Sequence, residues 1–346
     1  MKRTKLLAAV LTTMFLFLAI TGGIAAAENA AARTITDMAG RTVTVAQTIS
    51  SLCATGQPGA VMLYTLCPEM LVAWNSALTE DSLPYIPSEM AALPVIGSMQ
   101  GGKTSVNPEE VLALRPDVII YMTTLTKNTS AKADEIQAQM STPVITISFD
   151  LTNLGESYRF LGSLLGIEDQ AETLAAFCDT LIADIQVKSE TIAPDDQITF
   201  YYTSGGNGLQ TSPGGTNHTE MFEFTGGVNA VDLPAESNGR LKVDMERILA
   251  WNPDVVIAAS PAVLSSVLQW EHVNAVTAGA SYSAPTAPFS WLDAPVSVNR
   301  LIGLCWAAET LYPDVYQYDL EAYAQEFYSL FYRYDLSAEE LDSMMP

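Results

Sequence analysis

The stretch from residue 102 to residue 120, GKTSVNPEEVLALRPDVII, decides the fold because it occurs twice. It returns 137 positions later as residues 239–257, GRLKVDMERILAWNPDVVI, and the two copies are identical at 9 of 19 positions without a gap. Two copies at so long a spacing do not fit a solenoid, which needs several short repeats. They predict one supersecondary unit used once in each of two related lobes, and a cleft between lobes is where small ligands bind.

Strands alternate with helices around both copies. Asp117–Met122 and Val255–Ala259 are apolar runs, as expected of buried parallel strands, and a helix is predicted over Ala60–Trp74. Glu168–Glu190 has helical apolar spacing and no Gly or Pro, and it would run about 35 Å. That length suffices to bridge two lobes, although an ordinary amphipathic surface helix gives the same pattern. The predicted fold is α/β, with two similar Rossmann-like lobes joined by a single long helix.

The N-terminal residues have the features of an export signal. Lys2, Arg3 and Lys5 precede an apolar run, and small residues at 25–27 mark a cleavage site. No Cys stands at that site, so a cleaved signal without a lipid anchor is expected; an uncleaved membrane anchor is the alternative. The predicted divisions are a signal peptide over 1–27, an N-terminal lobe over 28–167, an interlobe helix over 168–190 and a C-terminal lobe over 191–346.

Composition narrows the possible partners. The formal net charge is −23, and it becomes about −26 without the three positive charges of the signal. Such a surface repels nucleic acid and anionic membranes, so neither a nucleic-acid partner nor stable membrane insertion is expected, and the chain is predicted to be a monomer. The cysteines form no CxxC pair, which argues against a zinc site and leaves open four buried free thiols or one disulfide bond.

Candidate catalytic residues are scarce. His218 and His272 are the two histidines of the chain, and they stand in unrelated contexts, which gives little support to a Ser-His-Asp or metal-histidine arrangement. The Gly-rich turn at 205–208 is neither a phosphate-binding loop nor a dinucleotide fingerprint. We therefore expect that the protein is not an enzyme, uses no cofactor and holds no metal through its own side chains. The alternative from another functional class is an exported chelatase-like enzyme.

Basic residues recur at matched positions of the repeat. Lys103 follows Gly102, Arg240 follows Gly239, and Lys242 lies in the same loop as Arg240. If both loops open on the cleft, one positive group from each lobe faces an anionic ligand. Two unrelated solvated loop charges are the alternative.

Neutral polar and aromatic groups that follow predicted strands are expected to complete the cleft, since open α/β sheets bind ligands at the carboxyl ends of their strands. These residues are Thr55, Gln57, Thr123, Thr124, Asn207, Ser260 and Trp291. For Trp291 a buried core position is the alternative.

Glu109 and Glu246 begin the two short helices of the repeat. A first-turn Glu is favoured by the helix dipole, which suffices as a structural explanation. Two such residues at matched positions would also form a symmetric acidic pair suited to a two-fold partner.

These features together resemble the iron-complex and cobalamin solute-binding proteins that deliver cargo to ABC importers. The resemblance rests on ITDMAGRTVTV (35–45), VNPEEVLALRPDVII (106–120), FTGGVNAV (224–231) and VDMERILAWNPDVVI (243–257). It implies the class III periplasmic-binding-protein fold with a fairly rigid cleft. It also implies that Glu109 and Glu246 engage arginines of the permease dimer. Lys103 and Arg240 match cleft positions that are often aromatic in cobalamin binders, so cations there favour an anionic chelate.

The expected function is therefore that of a periplasmic or secreted solute-binding protein. It would capture a metal chelate, such as a ferric siderophore or similar iron complex, and deliver it to an ABC importer. The late segment around PFSW (288–291) is similar to a subgroup that handles iron chelates or, in some members, molybdate or tungstate. A molybdate- or tungstate-binding protein of an ABC importer is thus the alternative within the family.

Overall fold

A computed structural model of the protein describes residues 32–100, 106–234, 239–293 and 295–345. The predicted export signal and Lys103 lie outside these residues. Within the described part of the chain, no helix is long and apolar enough to cross a membrane.

The N-terminal lobe is built on a parallel sheet with the strand order β3-β4-β5 and a separate β1-β2 hairpin. Its strands are β1 Ala32–Thr36, β2 Thr42–Ala46, β3 Leu52–Ala54, β4 Val118–Thr123 and β5 Val144–Ser148. Its helices are α1 Gln57–Leu66, α2 Ser88–Ala91, α3 Pro108–Leu114, α4 Thr129–Met140 and α5 Leu154–Leu165, with 3₁₀ turns at Pro68–Met70, Glu80–Tyr85 and Leu151–Asn153. A long helix, α6 Glu168–Ser189, and a 3₁₀ turn at Pro194–Asp196 follow.

The C-terminal lobe has a mixed sheet with the order β11-β10-β6-β7-β9, and β8 pairs with β6. Its strands are β6 Thr199–Ser204, β7 Gln210–Thr211, β8 Val228–Asn229, β9 Leu241–Lys242, β10 Val255–Ala258 and β11 Ser281–Ser283. Its helices are α7 Glu220–Phe224, α8 Met245–Trp251, α9 Pro261–Val267, α10 Asn274–Thr277, α11 Arg300–Leu311, α12 Pro313–Tyr316, α13 Leu320–Phe327 and α14 Ala338–Met344, with a π-turn at Tyr328–Tyr332.

From residue 106 and from residue 243 onward, the two copies of the repeat fold into the same unit. Helices α3 and α8 each have seven residues, and each ends at a residue in the left-handed region, Arg115 (φ 50°) and Asn252 (φ 45°). The following strands enter equivalent registers, with Val118 opposite Leu52 in one lobe and Val255 opposite Phe200 in the other.

The aspartate of each Pro-Asp-Val triplet fastens its strand to the neighbouring strand. Asp117 Oδ2 accepts hydrogen bonds from the backbone N–H of Ser50 at 2.7 Å and of Ser51 at 3.0 Å. Asp254 Oδ2 accepts from the backbone N–H of Thr199 at 2.8 Å. The same triplet therefore occurs in both copies for a structural reason. Each aspartate accepts hydrogen bonds from backbone N–H groups at the start of its sheet.

The long helix α6 contacts both lobes. It packs along α5 and against α1 on the N-terminal side, and it contacts α7, α11 and α12 on the C-terminal side. The packing on α5 is close, because a methyl group added at Gly162 would lie 2.3 Å from the Ala171 side chain. At 1.5 Å per residue its 22 residues span about 33 Å.

One hydrophobic core runs through both lobes, with a smaller core on the outer side of each sheet. The rings of Trp74 and Phe289 meet across the lobes at 5.9 Å, and Ser82 donates to the Pro288 carbonyl. Arg300, fully buried in α11, donates to the Phe149 carbonyl of the other lobe at 2.6 Å and to Glu220 at 2.9 Å. Burial lowers the pKa of Arg300, and Glu220 acts against this. The lobes are thus fastened together by packing as well as by polar contacts.

One local prediction needs correction. The helix predicted over Ala60–Trp74 ends at Leu66, because Pro68 offers no N–H to continue it. The last part of the C-terminal segment also returns to the N-terminal lobe, where Arg333 donates to the Thr65 carbonyl at 3.0 Å. The lobe boundaries given above remain a prediction.

All four cysteines are buried free thiols, which settles the choice left open by the sequence. Burial raises the pKa of Cys53 and of Cys67 to about 12. Burial likewise raises the pKa of Cys178 and of Cys305.

Candidate ligand site between the lobes

The N-terminal wall of the cleft is formed by loops at the carboxyl ends of β3 and β4. Thr55 is fully buried, and its hydroxyl accepts a hydrogen bond from Gln100 Nε2 at 2.7 Å. Gln57 begins α1, and its Oε1 accepts from the backbone N–H of Asn75 at 3.2 Å and of Ser76 at 2.9 Å. The first loop therefore offers neutral groups that are already held in place by other loops.

Asn75 positions this wall. Its Nδ2 donates to the Ala54 carbonyl at 2.8 Å and to the Gly97 carbonyl at 2.7 Å, so one buried amide joins three loop segments. Its Oδ1 is buried and has no hydrogen-bond partner among the described residues. A buried amide that bonds two backbone carbonyls rigidifies the loops it connects.

The charged groups of the C-terminal wall meet at Arg240. Its Nη1 donates to Ser204 Oγ at 2.6 Å, and its Nη2 donates to Asp293 Oδ2 at 3.0 Å. Ser204 is the last residue of β6, so this bond fixes the guanidinium at the carboxyl end of the central strand. The Arg240 side chain stays 23% exposed, whereas the Asp293 side chain is fully buried. Arg240 is thus held in place by Ser204 and Asp293, and its side chain remains partly exposed.

His218 belongs to the same cluster. Its Nδ1 lies 2.5 Å from Asp293 Oδ2 and 3.4 Å from Nη2 of Arg240. Because an ionised carboxylate can only accept, Nδ1 carries the proton in this contact. The second ring nitrogen, Nε2, is then a lone-pair ligand when the imidazole is neutral and an N–H donor when it is charged. Gly239 lies beside that edge: a methyl group built on it would be 3.9 Å from Nε2.

The ionisation of Asp293 follows from these contacts. Burial acts to raise its pKa, but the hydrogen bond and charge of His218, with Tyr202 and Arg240, lower the pKa below its ordinary value. Burial, followed by the nearby Asp293, raises the pKa of Tyr202 well above its usual range, so the phenol stays neutral. The Tyr202 hydroxyl and Asp293 Oδ1 are both buried without a hydrogen-bond partner in the described chain.

Among the cavities that the described residues line between the lobes, two contain predicted cleft residues, and each has a size suited to a small ligand. The first measures about 350 Å³ and is lined by Gln57, Ser76 and Thr79 of one lobe and Thr286, Phe289 and Ser290 of the other. The second measures about 530 Å³ and is lined by residues that include Thr123, Thr124, Phe149 and, from the other lobe, Asn217. Asn217 is the chain neighbour of His218, which brings the second cavity next to the charged cluster.

Comparison with known proteins agrees with this architecture. Residues 92–285 match the family model described as periplasmic binding protein. The chain belongs to the periplasmic binding protein family. This confirms the family suggested by the repeat, and it confirms the predicted fold of two similar α/β lobes.

Individual relatives narrow the role of this periplasmic binding protein. It is similar to the molybdate-binding protein MolA of Haemophilus influenzae, with 26% identity over 295 residues, covering 76% of this chain and 79% of the relative. It is also similar to YvrC of Bacillus subtilis, an uncharacterized ABC transporter substrate-binding lipoprotein, with 26% identity, covering 67% of this chain and 71% of that one. A solved ABC transporter solute-binding protein from Sulfurospirillum deleyianum superposes with a TM-score of 0.84 at 28% identity, covering 90% of this chain and 98% of that one. The protein is a periplasmic solute-binding protein of an ABC transporter.

The structure brings some of the predicted cleft residues together. Arg240 stands in the charged cluster, Gln57 lines the first cavity, and Thr123 and Thr124 line the second. The Thr124 hydroxyl is buried and has no partner in the described part of the chain. Lys103 lies outside the described residues, so its position opposite Arg240 remains a prediction.

Other predicted residues have local structural roles. Trp291 is fully buried in the core and its indole N–H donates to Tyr328, so its prediction as a cleft residue is wrong. Ser260 accepts from the Val263 N–H and caps α9, and Asn207 accepts from the Leu209 N–H within its own exposed turn. Lys242 is exposed on β9, next to the buried Leu241.

Little in the sequence pointed to His218 and Asp293 as functional residues. They lie 75 positions apart, and neither belongs to the repeat. Their only signal was that His218 precedes a predicted helix and that Asp293 follows the late PFSW segment. Their proximity depends on how the segment after β11 folds back over the sheet.

Glu109 and Glu246 are exposed on their helices, as a docking role requires. The N-caps differ in detail: Asn107 accepts from the N–H of Glu109 and Asp244 accepts from the N–H of Arg247. Glu109 and Glu246 are thus free of the capping interactions through their side chains, which makes a contact with a partner compatible with the fold.

Proposed function

We propose that this solute-binding protein captures an anionic metal compound at the Arg240–Asp293–His218 cluster and delivers it to an ABC importer. The favoured ligand is a compact ferric chelate. The observation that carries this proposal is the pairing of a partly exposed guanidinium with a histidine whose Nδ1 is held by a buried carboxylate. The guanidinium suits a negatively charged complex, and the second imidazole nitrogen, Nε2, suits an open coordination position on its metal.

The neutral walls support the same ligand class. An iron chelate has an organic periphery that needs polar and apolar contacts without charge. The first cavity supplies these through hydroxyl and amide groups and through Phe289. Ligand pockets of this kind combine mainly apolar walls with a few placed polar groups.

Molybdate or tungstate is the second candidate, favoured by the similarity to MolA. Molybdate and tungstate are small tetrahedral oxyanions whose metal has no open coordination position. Such an ion would use Arg240 and a charged His218 as hydrogen-bond donors. The two candidates therefore assign opposite protonation states to one side chain. For an iron centre His218 binds as the neutral ring, whereas for an oxyanion it binds as the imidazolium ion.

A binding panel separates the candidates. The ligand-free protein is titrated with a tetradentate ferric bis-catecholate, a hexadentate ferric tris-catecholate, molybdate and tungstate, with calorimetry and visible absorbance as readouts. We expect the tetradentate complex to bind most tightly and its charge-transfer band to shift. His218→Gln should abolish the shift. Tighter binding of molybdate or tungstate than of either ferric complex would replace the first candidate by the second.

We also propose that Glu109 and Glu246 contact the permease dimer. Replacing both by Ala should leave ligand affinity intact and abolish uptake. The cost in stability should be small, since an exposed first-turn Glu contributes only about 0.3–1 kcal/mol through the helix dipole. If the double mutant is expressed normally and uptake is normal, Glu109 and Glu246 act only in stabilising the starts of their helices.

A further inference from the structure

Each repeat helix exposes a large apolar side chain at the same position. Leu112 is 44% exposed on α3, and Leu249, its equivalent 137 residues later, is 38% exposed on α8. The residue before each leucine points inward: Val111 and Ile248 are fully buried. Both helices therefore have a core-facing side, and Leu112 and Leu249 lie outside it.

These leucines share a surface with the glutamates. Leu112 follows Glu109 by three residues and Leu249 follows Glu246 by three, which places each pair side by side on one helix face. Ala113 and Ala250 are exposed at the adjoining positions. Each lobe thus presents the same composite patch of one carboxylate, one leucine and one alanine.

We infer that Leu112 and Leu249 are apolar anchors of the contact with a two-fold partner, the permease dimer of the transporter. This inference rests on the proposed function, in which the glutamates meet that dimer. A partner with two equivalent subunits offers the same pocket twice, and two matched patches on one chain are complementary to it. Exposed charges mainly steer encounter, whereas a desolvated side chain in a pocket contributes most to the lifetime of a complex.

One position breaks the match and predicts a preferred orientation. Glu110 is exposed beside Glu109, but its equivalent beside Glu246 is the exposed Arg247. The N-terminal patch is therefore more acidic than the C-terminal patch. A partner built from two different subunits would be bound in one orientation, with its more basic subunit on α3.

The experiment measures association of the ligand-loaded protein with the permease–ATPase complex in lipid nanodiscs, using ferric bis-catecholate as the ligand probe. Leu112→Ser/Leu249→Ser should lower affinity at least tenfold, mainly through faster dissociation, at every salt concentration. Glu109→Gln/Glu246→Gln should slow association and flatten its salt dependence. Leu268→Ser is the matched control, because Leu268 is 58% exposed on the end of α9 and outside the repeat. It should bind normally.

The outcomes are distinct. Normal dissociation of the double leucine variant, with a defective double glutamate variant, overturns the inference and leaves the proposed docking intact. Failure of the unmodified protein to associate with the permease overturns the proposed docking itself. Equal loss in Leu268→Ser would mean that a general loss of surface apolarity explains the effect, and would also overturn the inference. Ligand affinity measured in parallel shows that each variant is folded.

Discussion

The two copies of the repeat share a scaffold and differ in what they present to the cleft. In both lobes a capped seven-residue helix, a left-handed residue and a Pro-Asp-Val triplet lead into a buried strand at the same register. Outside this shared framework the lobes diverge. The N-terminal lobe follows with the neutral Thr123 and Thr124, whereas the C-terminal lobe carries the Arg240–Asp293–His218 cluster. Sequence identity between the copies therefore marks the framework, and ligand chemistry lies outside the identical positions.

The largest effect we expect tests whether the interiors of the two lobes are equally protected from solvent and reagents. At pH 8 a thiol with a pKa of about 12, such as Cys53, should react with a disulfide reagent on the order of a thousandfold more slowly than an exposed thiol, because so little thiolate is present. Cys305 of the other lobe is buried too and should be equally slow.

Labelling at increasing urea concentration then tests the shared core. Because one hydrophobic core runs through both lobes and contains Cys67 and Cys305, these two cysteines should become reactive in the same transition. Mass spectrometry of labelled peptides gives the order. Exposure of one cysteine at clearly lower urea would show that the lobes unfold separately.

The next effect concerns the asymmetry of charge. Arg240→Glu should weaken binding of an anionic ligand by more than tenfold, as expected for a charge-assisted contact worth about 1.5–3 kcal/mol. Lys103→Glu, at the matched repeat position, is predicted to do the same. Calorimetry at low salt measures both, with Arg240→Lys as the charge-preserving control. If both reversals bind normally, the cleft does not use these cations.

A smaller effect is expected on stability. Asp293→Asn removes the buried negative charge that pairs with Arg240 and His218, and should cost about 1–3 kcal/mol at neutral pH. Since the pKa of Asp293 is lowered in the folded state, its contribution is present above the ordinary carboxylate pKa. It should be lost as pH falls through the folded value. Urea melts of both proteins should therefore differ at pH 7 and converge in strong acid; a constant difference would contradict this assignment.

The smallest effect tests the equivalence of the scaffold. Asn107→Ala and Asp244→Ala remove the side-chain caps of α3 and α8 and should each cost about 1 kcal/mol. Equal costs in denaturant melts would support equivalent framework roles in the two lobes. A cost confined to one lobe would show that the copies are alike in geometry only.

Features that depend on interactions between residues close in sequence were predicted more accurately than features that depend on residues far apart in sequence. The strand predicted over Asp117–Met122 is observed as Val118–Thr123, and the helix predicted over Glu168–Glu190 is observed as Glu168–Ser189. These elements are set by periodicity and by caps within a few residues. The prediction for Trp291 was wrong because an aromatic residue after a strand can pack either outward or into the core, and the packing partner, Tyr328, is remote in sequence.

The sequence by itself therefore determined the family, the duplicated unit and the long helix between the copies. It did so because hydrophobic periodicity, helix caps and the Pro-Asp-Val triplet act locally and are repeated. Tertiary structure alone decided that the four thiols stay free and that the two lobes share one core. It also decided which groups meet in the cleft. Asp293 becomes a partner of Arg240 and His218 only when the segment after β11 closes over the sheet, and a contact made across 75 residues leaves no periodic trace in the chain.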